Sequence, residues 1–271
     1  MPRLFGGGGT EMALLRIEDL TVRFGGVAAL DGVDLSVGTG EVMGLIGPNG
    51  AGKSTLFNVL SGFVQPRSGS VRFRGHDLLR ASPDARARAG IGRTFQTPRL
   101  VPGETVLENL LVAAEAHDRT GLFGDMLLLP WARRERRRAR ERALDVLEQV
   151  GLADRARVAA GTLPLPAQRR VEIARALSLD PTLLLLDESA SGLSRQETAD
   201  LAAVLARIVD ERRLSVILVE HDVDFVLSLA DHLYVLDFGR IIASGAPAAV
   251  VRDPAVVAAY LGAEQGRSSV A

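Results

Sequence analysis

Apolar and polar residues alternate from Leu15 to Val22, and the run then meets Phe24-Gly25-Gly26, which predicts a strand followed by a turn. Val42–Ile46 is continuously apolar and stops at Gly47-Pro48-Asn49-Gly50, after which Lys53–Leu60 has helical spacing. The predicted order is strand, glycine loop, helix. Ser70–Phe73 reads as another strand, closed by Gly75. From about Pro102 to Leu177 the period becomes helical. Glu104–Ala116 is apolar on one face, and Ala132–Val150 sets arginines on one side against Leu144, Leu147 and Val150 on the other. Asp180-Pro181 marks a turn before the aliphatic run Leu183–Leu186, which predicts a buried strand. Glu197–Val209 follows as a helix, Ser215–Val219 as a strand and Val223–Leu229 as a helix, and Leu233–Asp237 and Arg240–Ala243 flank Phe238-Gly239 as a hairpin. Asp253-Pro254 opens a last helix with Gly262 as its stop. Alternating strands and helices predict an α/β fold with a mainly parallel sheet covered on both faces. There is no internal repeat, and only the two ends, 1–11 and 265–271, read as tails.

Composition narrows this picture modestly. A chain of 271 residues can bury one large core or two modest ones. Aromatics are only 4% of it, so Leu, Val, Ile and Ala must fill the interior. A formal net charge of -1 argues against bulk attraction to nucleic acid or acidic lipid. With no cysteine, disulfides and thiolate metal sites are excluded, which fits a reducing compartment. The longest aliphatic stretches fall far short of the roughly 20 residues that span a bilayer. The first residues, Met1–Phe5 and then Gly6–Gly9, lack the apolar segment of a signal peptide, and Met12 is a second candidate start. The expected location is cytoplasmic, with any membrane role supplied by a partner.

The cations are lopsided: of 32 Lys and Arg side chains, Lys53 is the one lysine. Nucleotide bias explains the arginines, but a planar fork cannot replace a compact ammonium everywhere. Lys53 lies in Gly47-Pro48-Asn49-Gly50-Ala51-Gly52-Lys53-Ser54, which fits G-x-x-x-x-G-K-[ST] at every fixed position, with Thr55 next. The glycines let backbone N–H groups converge on phosphate oxygens, and the following helix presents its positive end to them. Lys53 can reach the β- and γ-phosphates of ATP, and Ser54 can ligate Mg²⁺. A chance glycine turn is disfavoured by the strand before it and the helix after it. Downstream, the strand Leu183–Leu186 delivers Asp187 towards a metal and Glu188 towards an attacking water.

With these motifs the chain resembles the ATP-binding subunits of ABC transporters, from about Leu14 to Gly262. The resemblance implies a P-loop NTPase (RecA-like) core with an antiparallel β subdomain and an inserted helical subdomain at about 100–177, within an ATPase domain spanning 12–264. It places Phe24 where the family stacks an aromatic on adenine; a core role is the alternative. Gln96, in Arg93-Thr94-Phe95-Gln96, matches the glutamine that contacts Mg²⁺ and senses the membrane subunit. His221, in Val219-Glu220-His221-Asp222, matches the histidine that touches the γ-phosphate, whereas His76, His117 and His232 read as surface or turn residues. The likeness is stronger to ATPases of branched-chain amino-acid importers, the G-type subunit. It rests on Arg23–Gly26, Gly47–Thr55, Arg93–Gln96, Gln168-Arg169-Arg170 with Glu172–Arg175, Ala259-Tyr260-Leu261-Gly262, and the insert Thr120–Phe123 before the arginine-rich helix. The implied partners are a second ATPase subunit, two integral-membrane permease subunits and, indirectly, a solute-binding protein, with no nucleic acid. The implied place is the cytoplasmic face of the plasma membrane. Other transporters (urea, lipopolysaccharide) and soluble ABC-type ATPases of DNA repair or translation remain alternatives, the latter weakened because no second ATPase domain or basic surface is evident.

One stretch departs from the pattern. The family caps the γ-phosphate bound by one subunit with a signature loop from the other, Leu-Ser-Gly-Gly-Gln or Leu-x-Tyr-Gly-Gln. Here it reads Leu163-Pro164-Leu165-Pro166-Ala167, followed by Gln168. Pro166 has no N–H to offer, Leu165 adds bulk and Ala167 lacks a polar side chain. A helix expected to begin near Gln168 would keep some attraction for phosphate. Losing one positioned donor typically costs about 3–4 kcal/mol of transition-state stabilisation. The expectation is an asymmetric heterodimer, or else a mainly nucleotide-binding subunit of low activity. Ser189 replaces the usual proline, and Ser194 an Asn or Asp in the loop that crosses the interface. The arginine-rich helix has two readings, a solvated face or a surface for anionic headgroups or the permease, the latter aided by apolar Leu127–Trp131.

Overall fold

Two sheets organise the chain, described over residues 13–96, 99–117 and 130–260 in a computed structural model. The first is antiparallel, in the order β2-β1-β4-β5, with β1 Leu15–Phe24, β2 Val27–Val37, β4 Ser68–Phe73 and β5 His76–Asp77. Along β1 the buried residues are Leu15 and Ile17, then Leu20 and Val22, so the two-residue period slips by one. A register irregularity between Ile17 and Leu20, with Asp19 at φ 49, absorbs the slip and keeps both pairs facing the core. The apolar pattern did not predict β2, because Asp31-Gly32 interrupts it; pairing with β1 across the Gly25-Gly26 turn restores it.

The second sheet has the order β10-β9-β3-β8-β7-β6, formed by β3 Val42–Ile46, β6 Ile91–Arg93, β7 Leu183–Asp187, β8 Ser215–Val219, β9 His232–Asp237 and β10 Arg240–Gly245. Its strands are parallel except β10, which turns back on β9 through Phe238-Gly239. Successive residues of the central strands supply opposite cores. Met43, Leu45, Leu183, Leu185, Ile217 and Val219 face the antiparallel sheet. Val42, Ile46, Leu184, Leu186, Val216 and Leu218 face the helices. Burial on both faces is the reason these strands read as unbroken apolar runs.

Helix α1 spans Lys53–Leu60 and α2 spans Pro83–Arg88. Between β6 and β7 lie α3 Val106–His117, α4 Pro130–Gln149 and α5 Leu165–Leu177. After β7 come α6 Arg195–Arg212 and α7 Val223–Leu229, then the short α8 Pro247–Val250 and a helix over 254–260. On α4 the buried face is Ala143, Val146 and Leu147, with Val150 just beyond its end. Leu144, expected on that face, is instead exposed, because three- and four-residue steps from Ala143 pass it by. Arg134, Arg136, Arg137, Arg138 and Arg140 stand in solvent, and Arg137 pairs with Glu141 at 2.8 Å. His232 opens strand β9, half-buried against Tyr234, and is not a turn residue. The tails 1–11 and 265–271, Met12, Gly262, Thr120–Phe123 and Leu127–Leu129 lie outside the described residues.

Candidate active site

The loop between β3 and α1 is shaped by close backbone approach. Gly47 has φ 154, and a Cβ there would lie 2.0 Å from the Leu236 carbonyl oxygen. Gly52 has φ 114, and its Cβ would meet the Ala29 carbonyl oxygen at 2.4 Å. Any side chain at either position would push the loop off β9 or β2. The first intrahelical bond of α1 runs from Leu56 N–H to the Gly52 carbonyl, so the amides of Lys53, Ser54 and Thr55 have no intrahelical acceptor. With no acid in the first turn, this end is a ready anion site. Asn49, Gly50 and Ser54 are exposed, Pro48 and Thr55 half-buried, and Ala51 buried. The Lys53 side chain is buried and its Nζ donates to the carbonyls of Gly47 at 2.5 Å and Pro48 at 2.9 Å. Burial lowers its pKa, while Glu188 and Asp187 pull it back up.

Strand β7 ends in the two acids. Asp187 is buried, and burial raises its pKa against the opposing pull of Arg93. Its Oδ2 accepts from Arg93 Nη2 at 3.0 Å, while Oδ1 is buried with no hydrogen-bond partner. Arg93, at the end of β6, also donates to Asn58 Oδ1 at 2.9 Å and Ser61 Oγ at 3.0 Å, which ties Asp187 to helix α1. Asp187 N–H donates to Thr94 Oγ1 at 3.1 Å, so Gln96, exposed two residues on, is carried on the same frame. Among the described residues no group of three His, Cys, Asp or Glu side chains could hold a metal. A cation here would need the Ser54 hydroxyl, Gln96, the free Asp187 Oδ1 and phosphate oxygens, a hard oxygen set that suits Mg²⁺.

Glu188, the next residue, has φ 49, and its N–H donates to the Val219 carbonyl at 2.9 Å. Its Oε1 lies 2.6 Å from His221 Nε2, so the two residues read as catalytic are in direct contact. Phe24 is 54% exposed at the end of β1, which removes the core alternative.

The stretch Leu163–Gln168 differs from expectation. Helix α5 begins at Leu165, not near Gln168. Pro166 fits the first turn, where a missing N–H breaks no helical bond. Pro164 is the N-cap, and its carbonyl accepts from Ala167 N–H at 3.0 Å and Gln168 N–H at 3.1 Å. Gln168 Nε2 donates to the Leu163 carbonyl at 2.8 Å. The helix end therefore offers a ligand little beyond the Leu165 amide, fewer donors than a start at Gln168 implied. Ser194 is the N-cap of α6 in a capping box with Glu197. Ser189 is buried, its hydroxyl without a partner.

Several further residues brace the site from its neighbours. Arg169 donates to the Gln96 carbonyl at 2.5 Å and to the Ser191 carbonyl at 3.0 Å. Glu172 accepts from Phe95 N–H at 2.9 Å, and Arg175 donates to the Arg99 carbonyl. The Tyr260 ring is half-buried, and a backbone hydrogen bond from Gly47 reaches its hydroxyl. Glu220 is buried beside His221. Arg169 and Glu220 adjoin site residues in sequence, and Arg169, Glu172, Arg175 and Tyr260 lie in stretches that carry the family likeness.

A glycine loop opening a helix, beside a parallel strand that ends in two acids and touches a histidine, defines a P-loop ATPase. The antiparallel sheet and the helices between β6 and β7 narrow the class to an ATP-binding cassette. Residues 30–191 match the ABC transporter family, and residues 240–265 match the branched-chain amino acid ATP-binding cassette transporter family. The chain belongs to the ABC transporter family and is an ATPase subunit of such a transporter. It is 43% identical over 249 residues to the high-affinity branched-chain amino acid transport ATP-binding protein BraF of Pseudomonas aeruginosa, covering 92% of this chain and 98% of that one. Identity to LivG of Escherichia coli is 41%, with the same coverage. A solved ATP-binding cassette of an ABC transporter in its ADP conformation superposes with a TM-score of 0.82 at 36% identity, covering 93% of this chain and 99% of that one. A post-hydrolysis dimer of a cassette bound to ADP and Pi gives a TM-score of 0.71 at 26% identity, covering 86% and 98%.

Proposed function

We propose that this ATPase powers uptake of branched-chain amino acids through a membrane permease. The identity to BraF and LivG over nearly the whole chain supports that substrate class, and the match at 240–265 agrees with it. The contact between Glu188 and His221 beside the glycine loop carries the mechanism.

Lys53 and the free amides of Lys53–Thr55 bind the β- and γ-phosphates of ATP, with Gly47–Gly52 closing the loop around them and Phe24 stacking on the adenine. Ser54, Gln96 and Asp187 Oδ1 would hold Mg²⁺. When bound there, the cation neutralises charge on the phosphate oxygens. The Glu188 carboxylate accepts a hydrogen bond from the attacking water and draws off its proton as oxygen bonds to the γ-phosphorus; the bond to ADP breaks. His221 orients Glu188 through Nε2, and that N–H can turn to the γ-phosphate once ATP is bound. Burial strips solvation from the Lys53 ammonium, and the polyphosphate adds to the counter-charge that Glu188 and Asp187 already supply.

The chain sits at the cytoplasmic face of the membrane through its permease; among the described residues no helix is long and apolar enough to cross. The poor donor set at Leu163–Gln168 favours a second reading within this one: an asymmetric pair with another ATPase, whose intact signature completes the site built here. A transporter reconstituted in liposomes with its solute-binding protein tests both. Leucine, isoleucine or valine should drive ATP hydrolysis, and omitting the second ATPase should abolish the stimulation. Stimulation by urea alone would overturn the substrate reading. Full turnover by the isolated chain would overturn the asymmetric pair.

A further inference from the structure

The turn that carries Glu188 is held by three consecutive groups at the end of β8. The Val219 carbonyl accepts the Glu188 N–H at 2.9 Å. The Glu220 carboxylate accepts the Ala190 N–H at 2.9 Å and a backbone hydrogen bond from Ser189. The His221 ring meets the Glu188 side chain at 2.6 Å. Strand pairing sets this alignment, since Asp187 lies opposite Val219 in the parallel register. The next residue out, Ser191, is gripped from α5 by Arg169 at its carbonyl, and its N–H returns to the Glu188 carbonyl at 3.2 Å.

Glu220 is therefore a buried carboxylate, 3% exposed, spent on two main-chain amides directly after a residue in the left-handed region. A buried acid is costly unless it is hydrogen-bonded, and here both donors belong to the turn. Ser189 matters because its N–H is one of them; a proline would have none. Glu188 and Arg169 are the charged groups that act on Glu220 from neighbouring elements.

We propose that Glu220 is a positioning residue for Glu188, its carboxylate fixing the backbone of Ser189 and Ala190 so that the Glu188 carboxylate stays on His221 and aims at the attacking water. The proposal rests on the role given to Glu188 above. It assigns Glu220 no contact with ATP, so the effect belongs in kcat and not in nucleotide affinity.

The test is a double-mutant cycle in the full chain assembled with its transporter, reading kcat, KM and equilibrium ATP affinity, with melting curves to verify folding. Glu220→Ala should lower kcat about tenfold or more, with KM and ATP affinity within about twofold. In a Glu188→Gln background the same change should cost less than about twofold, because Glu220 acts through Glu188. Glu220→Gln keeps an acceptor oxygen and should hold kcat within about threefold of wild type, while Glu220→Asp, one methylene short, should lose about as much as alanine. If the alanine variant does not fold, the Gln and Asp pair decides. An equal loss in both backgrounds, a shift in KM instead of kcat, or an Asp variant as active as Gln would overturn the positioning role. Normal turnover of Glu188→Gln alone would instead overturn the mechanism beneath it.

Discussion

Glu188 sits at φ 49, a conformation that costs a non-glycine residue on the order of 1–3 kcal/mol and persists only where its surroundings hold it. What the position gains is a carboxylate on His221 next to the glycine loop. Glu188→Gln should keep ATP affinity and lower hydrolysis by about 10²–10⁴-fold, the usual worth of general-base assistance. Equilibrium binding and single-turnover hydrolysis on one preparation measure both; unchanged turnover would exclude the role. Glu220 yields a second residue-scale prediction. Desolvation pushes its pKa up from 4.5 to about 7. The folded chain thus binds this proton more tightly than the unfolded chain does. The stability linked to it is complete below about pH 4.5, falls as pH rises and is lost above about pH 7, a change of about 3 kcal/mol. Melting curves from pH 5 to 8 should therefore fall less steeply in Glu220→Gln. Parallel curves for the two proteins would contradict the assignment.

Two helix starts carry the variable chemistry. At α6, Ser194 accepts from Glu197 N–H at 3.4 Å while the Glu197 carboxylate accepts from Ser194 N–H at 2.7 Å. Ser194→Ala should cost about 1 kcal/mol of stability, visible in denaturant unfolding, and Ser194→Asp should restore it. At α5, prolines at the N-cap and in the first turn make a good helix start and a poor anion site. Restoring an N–H and a polar side chain with Pro166→Gly and Ala167→Gln should raise the turnover of the assembled pair, up to the roughly 10²-fold that one positioned donor is worth. No gain in a folded variant would mean that this end takes no part in hydrolysis. The expected start near Gln168 lies three residues too late, because proline reads as a breaker along the chain yet suits a first turn in three dimensions.

Across the whole molecule, parallel strands bring together groups far apart in sequence: Lys53 after β3, Asp187 and Glu188 at the end of β7, and His221 after β8. Much of this was legible beforehand. Val42–Ile46, Lys53–Leu60, Ser215–Val219 and Val223–Leu229 have the bounds their apolar patterns predicted, because period and burial agree there. Strand β6 was not legible, since three residues carry no period and pairing with β7 alone makes them a strand. The glycine loop and its lone lysine were legible because phosphate binding demands a fixed spacing of small residues and one compact cation. Spacing along the chain determines such local chemistry: which loop can cradle phosphate and which strand ends in acids. Only the tertiary structure decided that Arg93 would brace Asp187, that Glu220 would hold the turn after Glu188, and that the donors at the start of α5 would be consumed by Pro164. Those outcomes depend on which backbone amides and carbonyls meet across strands and helices, and strand register and helix phase fix that only when the chain is folded.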